Sequence, residues 1–129
     1  MKLPSPRVEK LCAGRLHIDC ATAEAANWIM VQGWLAKVPR AVAAVSSSWG
    51  DVHCLLTDRP DVCQALGEPP ERAFGFTLHL LAQKPPADQI TVNLSLGGEP
   101  LARLQIALPD GDLPLLPFAR EAALDLTRR

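Results

Sequence analysis

Two groups of side chains in this sequence have types and spacing that could do chemistry. Arg59, Pro60 and Asp61 place a guanidinium and a carboxylate around a proline. Such a pair near a tight proline turn invites a catalytic role. Trp49, Asp51 and His53 place an indole, a carboxylate and an imidazole around the turn Trp49-Gly50-Asp51. At an exposed hairpin tip the indole would offer a flat apolar face to the C–H side of a sugar ring, with Asp51 and His53 hydrogen-bonding its hydroxyls. These three are the candidate carbohydrate contacts. The plainer reading of Trp49 folds it back onto its own domain. For Arg59 and Asp61 the structural reading is favoured: Arg59 forks onto a carboxylate or loop carbonyls, and Asp61 accepts backbone N–H groups at a helix start.

No catalytic set emerges. His17, His53 and His79 fall in separate predicted strands at outward or ambiguous positions, and the Ser46-Ser47-Ser48 run lacks the strand-turn-helix elbow that activates a serine. No glycine-rich loop opens a helix, so phosphate cradling is unsupported. None of the spacings among Cys12, Cys20, Cys54 and Cys63 is C-x-x-C, so neither a metal site nor a cofactor is implied. The enzyme class therefore ranks last.

The elements that must position these residues read as strands. Polar and apolar residues alternate over residues 15–20, with Leu16, Ile18 and Cys20 on one face, and again over 76–80, 90–96 and 102–108. Residues 27–36 hold Trp28, Ile29, Met30, Val31, Trp34 and Leu35 and fit a central strand covered on both sides, with Gly33 marking a close backbone approach or room for a neighbouring ring. Trp28 and Trp34 share parity, and Trp34 is expected in the core. Residues 41–48 and 52–57 are expected to form a hairpin, and 52–80 to link the two halves of the fold. Asp58 is a helix-cap candidate, Pro60 suits a first turn and Gly67 would stop the segment, which gives a short helical turn after the fourth strand.

The prediction is an all-β, antiparallel two-sheet sandwich of about seven strands, immunoglobulin-like or carbohydrate-binding-module-like. Residues 1–14 read as a lead-in, 15–108 as the sandwich, with 21–26 as a connection inside it, and 109–129 as loop followed by weak helical character. Lys and Arg total 13 against 14 Asp and Glu, so no global field favours nucleic acid. No apolar run is long enough for a membrane span or signal peptide, and a cytoplasmic protein with reduced thiols is expected. The oligomeric state is not legible.

Gly33-Trp34-Leu35-Ala36, Arg59-Pro60-Asp61-Val62, Gly75-Phe76-Thr77-Leu78 and the strand Ile90 to Leu96 before Gly97-Gly98 follow one another in an order that resembles a small β-sandwich domain. That domain is attached to many bacterial glycosyltransferases and methyltransferases of cell-surface polysaccharide assembly. The resemblance covers roughly residues 15–108. It implies a non-catalytic accessory module working with glycans or with such an enzyme, in which Trp34, Arg59, Asp61 and Phe76 specify the fold. Trp49-Gly50-Asp51 stands where the family commonly has Asp-Gly. The second function class is a protein–protein interaction module docking through a sheet edge or the C-terminal segment.

Overall fold

A computed structural model of the chain describes residues 1–41, 44–82, 89–96, 99–108 and 121–123. Among them run β1 (Arg7–Lys10), β2 (Arg15–Ala25), β3 (Trp28–Ala36), β4 (Ala44–Ser47), β5 (Asp51–Thr57), α1 (Pro60–Leu66), β6 (Ala73–Leu81), β7 (Gln89–Leu96) and β8 (Glu99–Ala107). The strands form two antiparallel four-stranded sheets, sheet A in the order β2-β3-β6-β5 and sheet B in the order β1-β8-β7-β4. The expected two-sheet sandwich is the fold. With β1 set aside, the order is that of a constant-type immunoglobulin sandwich: strands one, two, five and four in one sheet, and three, six and seven in the other. All four cysteines are free, so no disulfide joins the sheets.

Period-two alternation builds the core. Phe74, Phe76, Leu78 and Leu80 of β6 face Ile90, Val92 and Leu94 of β7 and Ala102, Leu104 and Ile106 of β8, all buried in one cluster. Their burial is the main driving force for closing the two sheets. Gly33 lies on the inner face of β3 with two consequences of its missing side chain. A Cβ there would stand 2.2 Å from the His17 carbonyl oxygen and 3.0 Å from the Phe76 ring, so β2 approaches closely and the phenyl ring takes the remaining space.

Several local expectations are corrected. Residues 1–14 are not a bare lead-in: Lys2 bridges Thr22 at the rim of sheet A, and after Pro4 and Pro6 the chain crosses to pair β1 with β8. The stretch 21–26 is not a connection, because β2 runs on to Ala25. Alanines suffice there since Ala21 and Ala23 face inward against larger partners. Cys20 is on the outer face, apart from Leu16 and Ile18. A bulge between Ile18 and Cys20 sets Asp19 as an extra residue, and the parity of β2 changes beyond it.

The expected hairpin of β4 and β5 does not form. β4 pairs with β7 in sheet B, and β5 pairs with β6 in sheet A, so residues 48–50 cross between sheets. For the same reason β5, α1 and β6 do not link two halves of the fold. They form a hairpin with a helical insert inside one sheet. Trp34 lies half-buried on the outer face of sheet A, because Ile29, Val31, Gly33 and Leu35 hold the inward parity of β3. There it packs beside the Ala36, Val62 and Ala73 cluster, with the Arg15 guanidinium 5.9 Å and the His17 ring 5.6 Å from it. Glu121, Ala122 and Ala123 are helical, and Ala123 packs on Trp28. The expected connection at 84–88, the glycine turn at 97–98, the loop at 109–117 and the rest of the C-terminal segment lie outside the described residues.

Candidate functional site

Arg59 is the residue before α1, and Pro60 opens the helix, which ends at Gly67 with φ of 66°. Asp58 does not cap the helix. Its carboxylate instead accepts from Arg40 Nη1 at 2.7 Å. Arg59 forks onto Asp61, with Nε and Nη2 donating at 3.0 and 2.9 Å, and its Nη1 donates to Asp19 at 2.8 Å. To reach the β2 bulge, the Arg59 stem lies across β6 at Gly75, where a Cβ would come within 2.7 Å of Arg59 Cγ. The bulge that aims Asp19 outward, the glycine that makes room and the Arg-Pro-Asp turn thus form one clasp over the outer face of sheet A. The Arg59 hydrogen bonds hold the Asp61 carboxyl below its ordinary range. With both carboxylates engaged, this guanidinium is a structural tie in a shallow surface groove that also includes Cys63, Gln64 and Glu68.

The candidate carbohydrate contacts are not brought together. Trp49 is 8% exposed and belongs to the core cluster. The chain leaves sheet B after Ser47 and enters sheet A at Asp51, so residue 49 occupies the corner between sheets, where a large ring fills space. Ser47 ties the corner, its hydroxyl donating to the Trp49 carbonyl and its oxygen accepting from the Trp49 N–H. Gly50 follows with φ of 67°, and a Cβ there would strike the Leu81 carbonyl. Asp51 and His53 share the outer face of sheet A, away from the Trp49 ring. Ser48 Oγ accepts from the Thr91 N–H at 3.0 Å, so it too serves the fold.

The histidines settle differently. His17 is exposed, stacked on Trp34 and 3.6 Å from Asp19. His79, only 3% exposed, accepts at Nδ1 from Trp28 Nε1 at 3.1 Å, which fixes the proton on Nε2 when the ring is neutral. Burial first and the facing His53 second push the His79 pKa down, against a smaller upward pull from Glu24. His53 stands opposite His79 in the ladder, with its Nε2 buried and without a hydrogen-bond partner. No local pattern signals the Trp28–His79 bond, since the two residues are 51 positions apart.

A small, partly open cavity of about 20 Å³ lies beside Leu35, Val45, Cys54, Phe76 and Leu94, room for about one water. Burial pushes the Cys54 thiol up to about 11, which keeps it protonated and unreactive. Among the described residues no group of three or more His, Cys, Asp or Glu is placed to hold a metal ion. No helix of the described residues is long and apolar enough to cross a membrane.

A further feature belongs to a strand rather than to any one residue: β5 is an edge. The Ala82 N–H donates to the Asn27 carbonyl, which makes that pair a hydrogen-bonded one. Alternation along the unbroken β3–β6 and β6–β5 registers then points the N–H and C=O of Asp51, His53, Leu55 and Thr57 at β6. Those of Val52, Cys54 and Leu56 point to the open side. From Val52 to Thr57 the strand has no formal charge at neutral pH other than any on His53, no lysine and no proline, and Leu55 is 39% exposed. Among the described residues, Asp51 at the strand's start is the one fixed charge in β5, and no lysine, proline or register shift blunts the edge beyond it. The absence of charge over these six residues is the signal of it in the sequence. No family model, curated protein or solved structure matches the chain.

Proposed function

We propose that the chain is a non-catalytic interaction module that takes an extended segment of a partner protein as an added strand on the β5 edge of sheet A. The observation that carries this reading is the row of outward backbone groups of Val52, Cys54 and Leu56 on an edge whose fixed charge within the strand, Asp51, lies at its start. Main-chain hydrogen bonds to such a row supply affinity, and pockets for alternate side chains supply selectivity. The outward side chains of His53, Leu55 and Thr57 are the ones an added strand would pack beside. The partner of first choice is the glycosyltransferase or methyltransferase that the sequence resemblance implies. A glycan-directed role loses its stacking platform with Trp49 in the core.

The test is selection of extended peptides from a random library, followed by amide exchange of the bound domain. Slowed exchange at Val52, Cys54 and Leu56, together with loss of binding in Leu55→Lys, is the expected result. Peptide binding that leaves those amides unchanged, or a glycan array that selects a defined sugar set, would overturn it.

A further inference from the structure

The opposite side of the sandwich has an edge of another kind. β1 (Arg7–Lys10) is exposed at every position, and Val8 and Leu11 beside it are each 41% exposed. The Leu11 N–H donates to the Leu101 carbonyl, so alternation turns the N–H and C=O of Arg7 and Glu9 toward β8 and those of Val8 and Lys10 toward the open side. Val8 therefore sits at the centre of Arg7-Val8-Glu9 with its backbone groups facing out.

We propose that β1 is a homodimer seam, joining two copies of this chain through an antiparallel β1–β1 pair with its two-fold axis at Val8. An isologous contact needs a self-complementary surface, and this strand is one. In that register the two Val8 residues exchange both backbone hydrogen bonds and bring their side chains together. Arg7 of each copy stands across from Glu9 of the other, at the closer, non-hydrogen-bonded spacing of an antiparallel ladder. The pairing ends at Lys10 and Pro6, because proline has no N–H to give to the Lys10 carbonyl. A slide by one residue places Arg7 against Lys10, and a slide by two places Glu9 against Glu9 or Arg7 against Arg7, so these alternatives are disfavoured by like charge. Arg7 has no ion-pair partner among the described residues, and Glu9 shares its carboxylate with Arg103 at 3.3 Å. The net charge of -1 per chain opposes association only weakly. Two dimerised copies would carry one continuous eight-stranded sheet, twice the four strands of sheet B.

Sedimentation velocity of the whole chain across a concentration series tests this. The expected result is a monomer–dimer equilibrium that weakens with added salt, as exposed ion pairs do. Arg7→Glu and Glu9→Arg should each weaken it about tenfold, since by symmetry each change replaces two attractive pairs with repulsive ones. The double exchange Arg7→Glu with Glu9→Arg should recover most of the association, which a merely structural defect would not. Val8→Pro, which removes an outward N–H and leaves the β1–β8 ladder intact, should give a folded monomer. A chain that stays monomeric at the highest concentration overturns the proposal. So does a dimer indifferent to the charge reversals, including one that responds to Leu55→Lys alone, which would place the contact at β5.

Discussion

On the outer face of sheet A, Trp28 and His79 are buried and Trp34 is half-buried, tied or covered by Arg59, α1 and Ala123. On the outer face of sheet B the corresponding positions carry Gln89, Thr91, Asn93, Arg103 and Gln105, which hydrogen-bond one another largely in the open. Gln105 Oε1 accepts from both Gln89 and Thr91, and Arg103 reaches Asn93 on one side and Glu9 on the other. Both faces come from the same alternation. Part of one has been turned into smaller satellite clusters because the helical insert and Ala123 pack over it, and Trp28, His79 and Trp34 are bound into the structure there. A residue's outward parity therefore does not make it available to a ligand. The edges differ in a parallel way: β5 is bare of fixed charge from Val52 to Thr57, whereas β1 carries Arg7, Glu9 and Lys10.

The sharpest way to break this comparison is to truncate large side chains on each face. Trp28→Ala, and Trp49→Ala at the corner, should each lower unfolding stability by about 3–5 kcal/mol, as expected for large aromatic residues removed from packed sites. Gln105→Ala on sheet B should change it by about 0.5 kcal/mol or less. Urea denaturation measures all three, and a similar loss at Gln105 would end the distinction between the faces. Trp49→Ala with unchanged stability would return Trp49 to the surface.

A middle-sized effect concerns acid. The folded His79 pKa lies below its ordinary value of 6.5, so on acidification the unfolded chain takes up a proton before the folded one. The stability linked to neutral His79 is complete above the unfolded value and is lost as pH falls through the lowered folded value. The urea midpoint should therefore drop as pH falls below the ordinary histidine value of 6.5, and His79→Gln should flatten that decline. His53 faces His79 and Glu24 lies near, and a decline unchanged in His79→Gln would show that His79 is not its source.

The smallest effects separate the two arginine networks. Arg59 is 28% exposed and its partner Asp61 65%, so the clasp is partly screened by solvent. Arg59→Met should cost about 1 kcal/mol, and Arg103→Met less, about 0.5 kcal/mol or below. The acid limb carries a further signature. Asp61, held below the ordinary carboxylate range, contributes stability that is present above its unfolded pKa and lost as pH falls through the lowered folded value. Arg59→Met should remove that contribution, while Arg103→Met should leave it in place.

Much of the fold is legible in the sequence. The inward sets of β6, β7 and β8, the stop at Gly67, a structural role for Arg59 and the need for space at Gly33 all follow from local rules: alternation, turn chemistry and paired charge. The site is far less legible. Trp49-Gly50-Asp51 has the local look of a hairpin turn, which is why a tip is expected there, and nothing local distinguishes a turn within a sheet from a crossing between two.

What the sequence by itself determined was most of the strands, β1 and the second half of β2 excepted, and which faces of β6, β7 and β8 are apolar, because both depend on neighbours two positions away. What only the tertiary structure decided was the pairing of those strands. Placing β4 beside β7 and β5 beside β6 put Trp49 in the corner, brought Trp28 to His79, and left β5 and β1 as edges. Those outcomes depend on partners tens of residues distant, selected by the burial of whole sheets and carrying no mark in the local sequence.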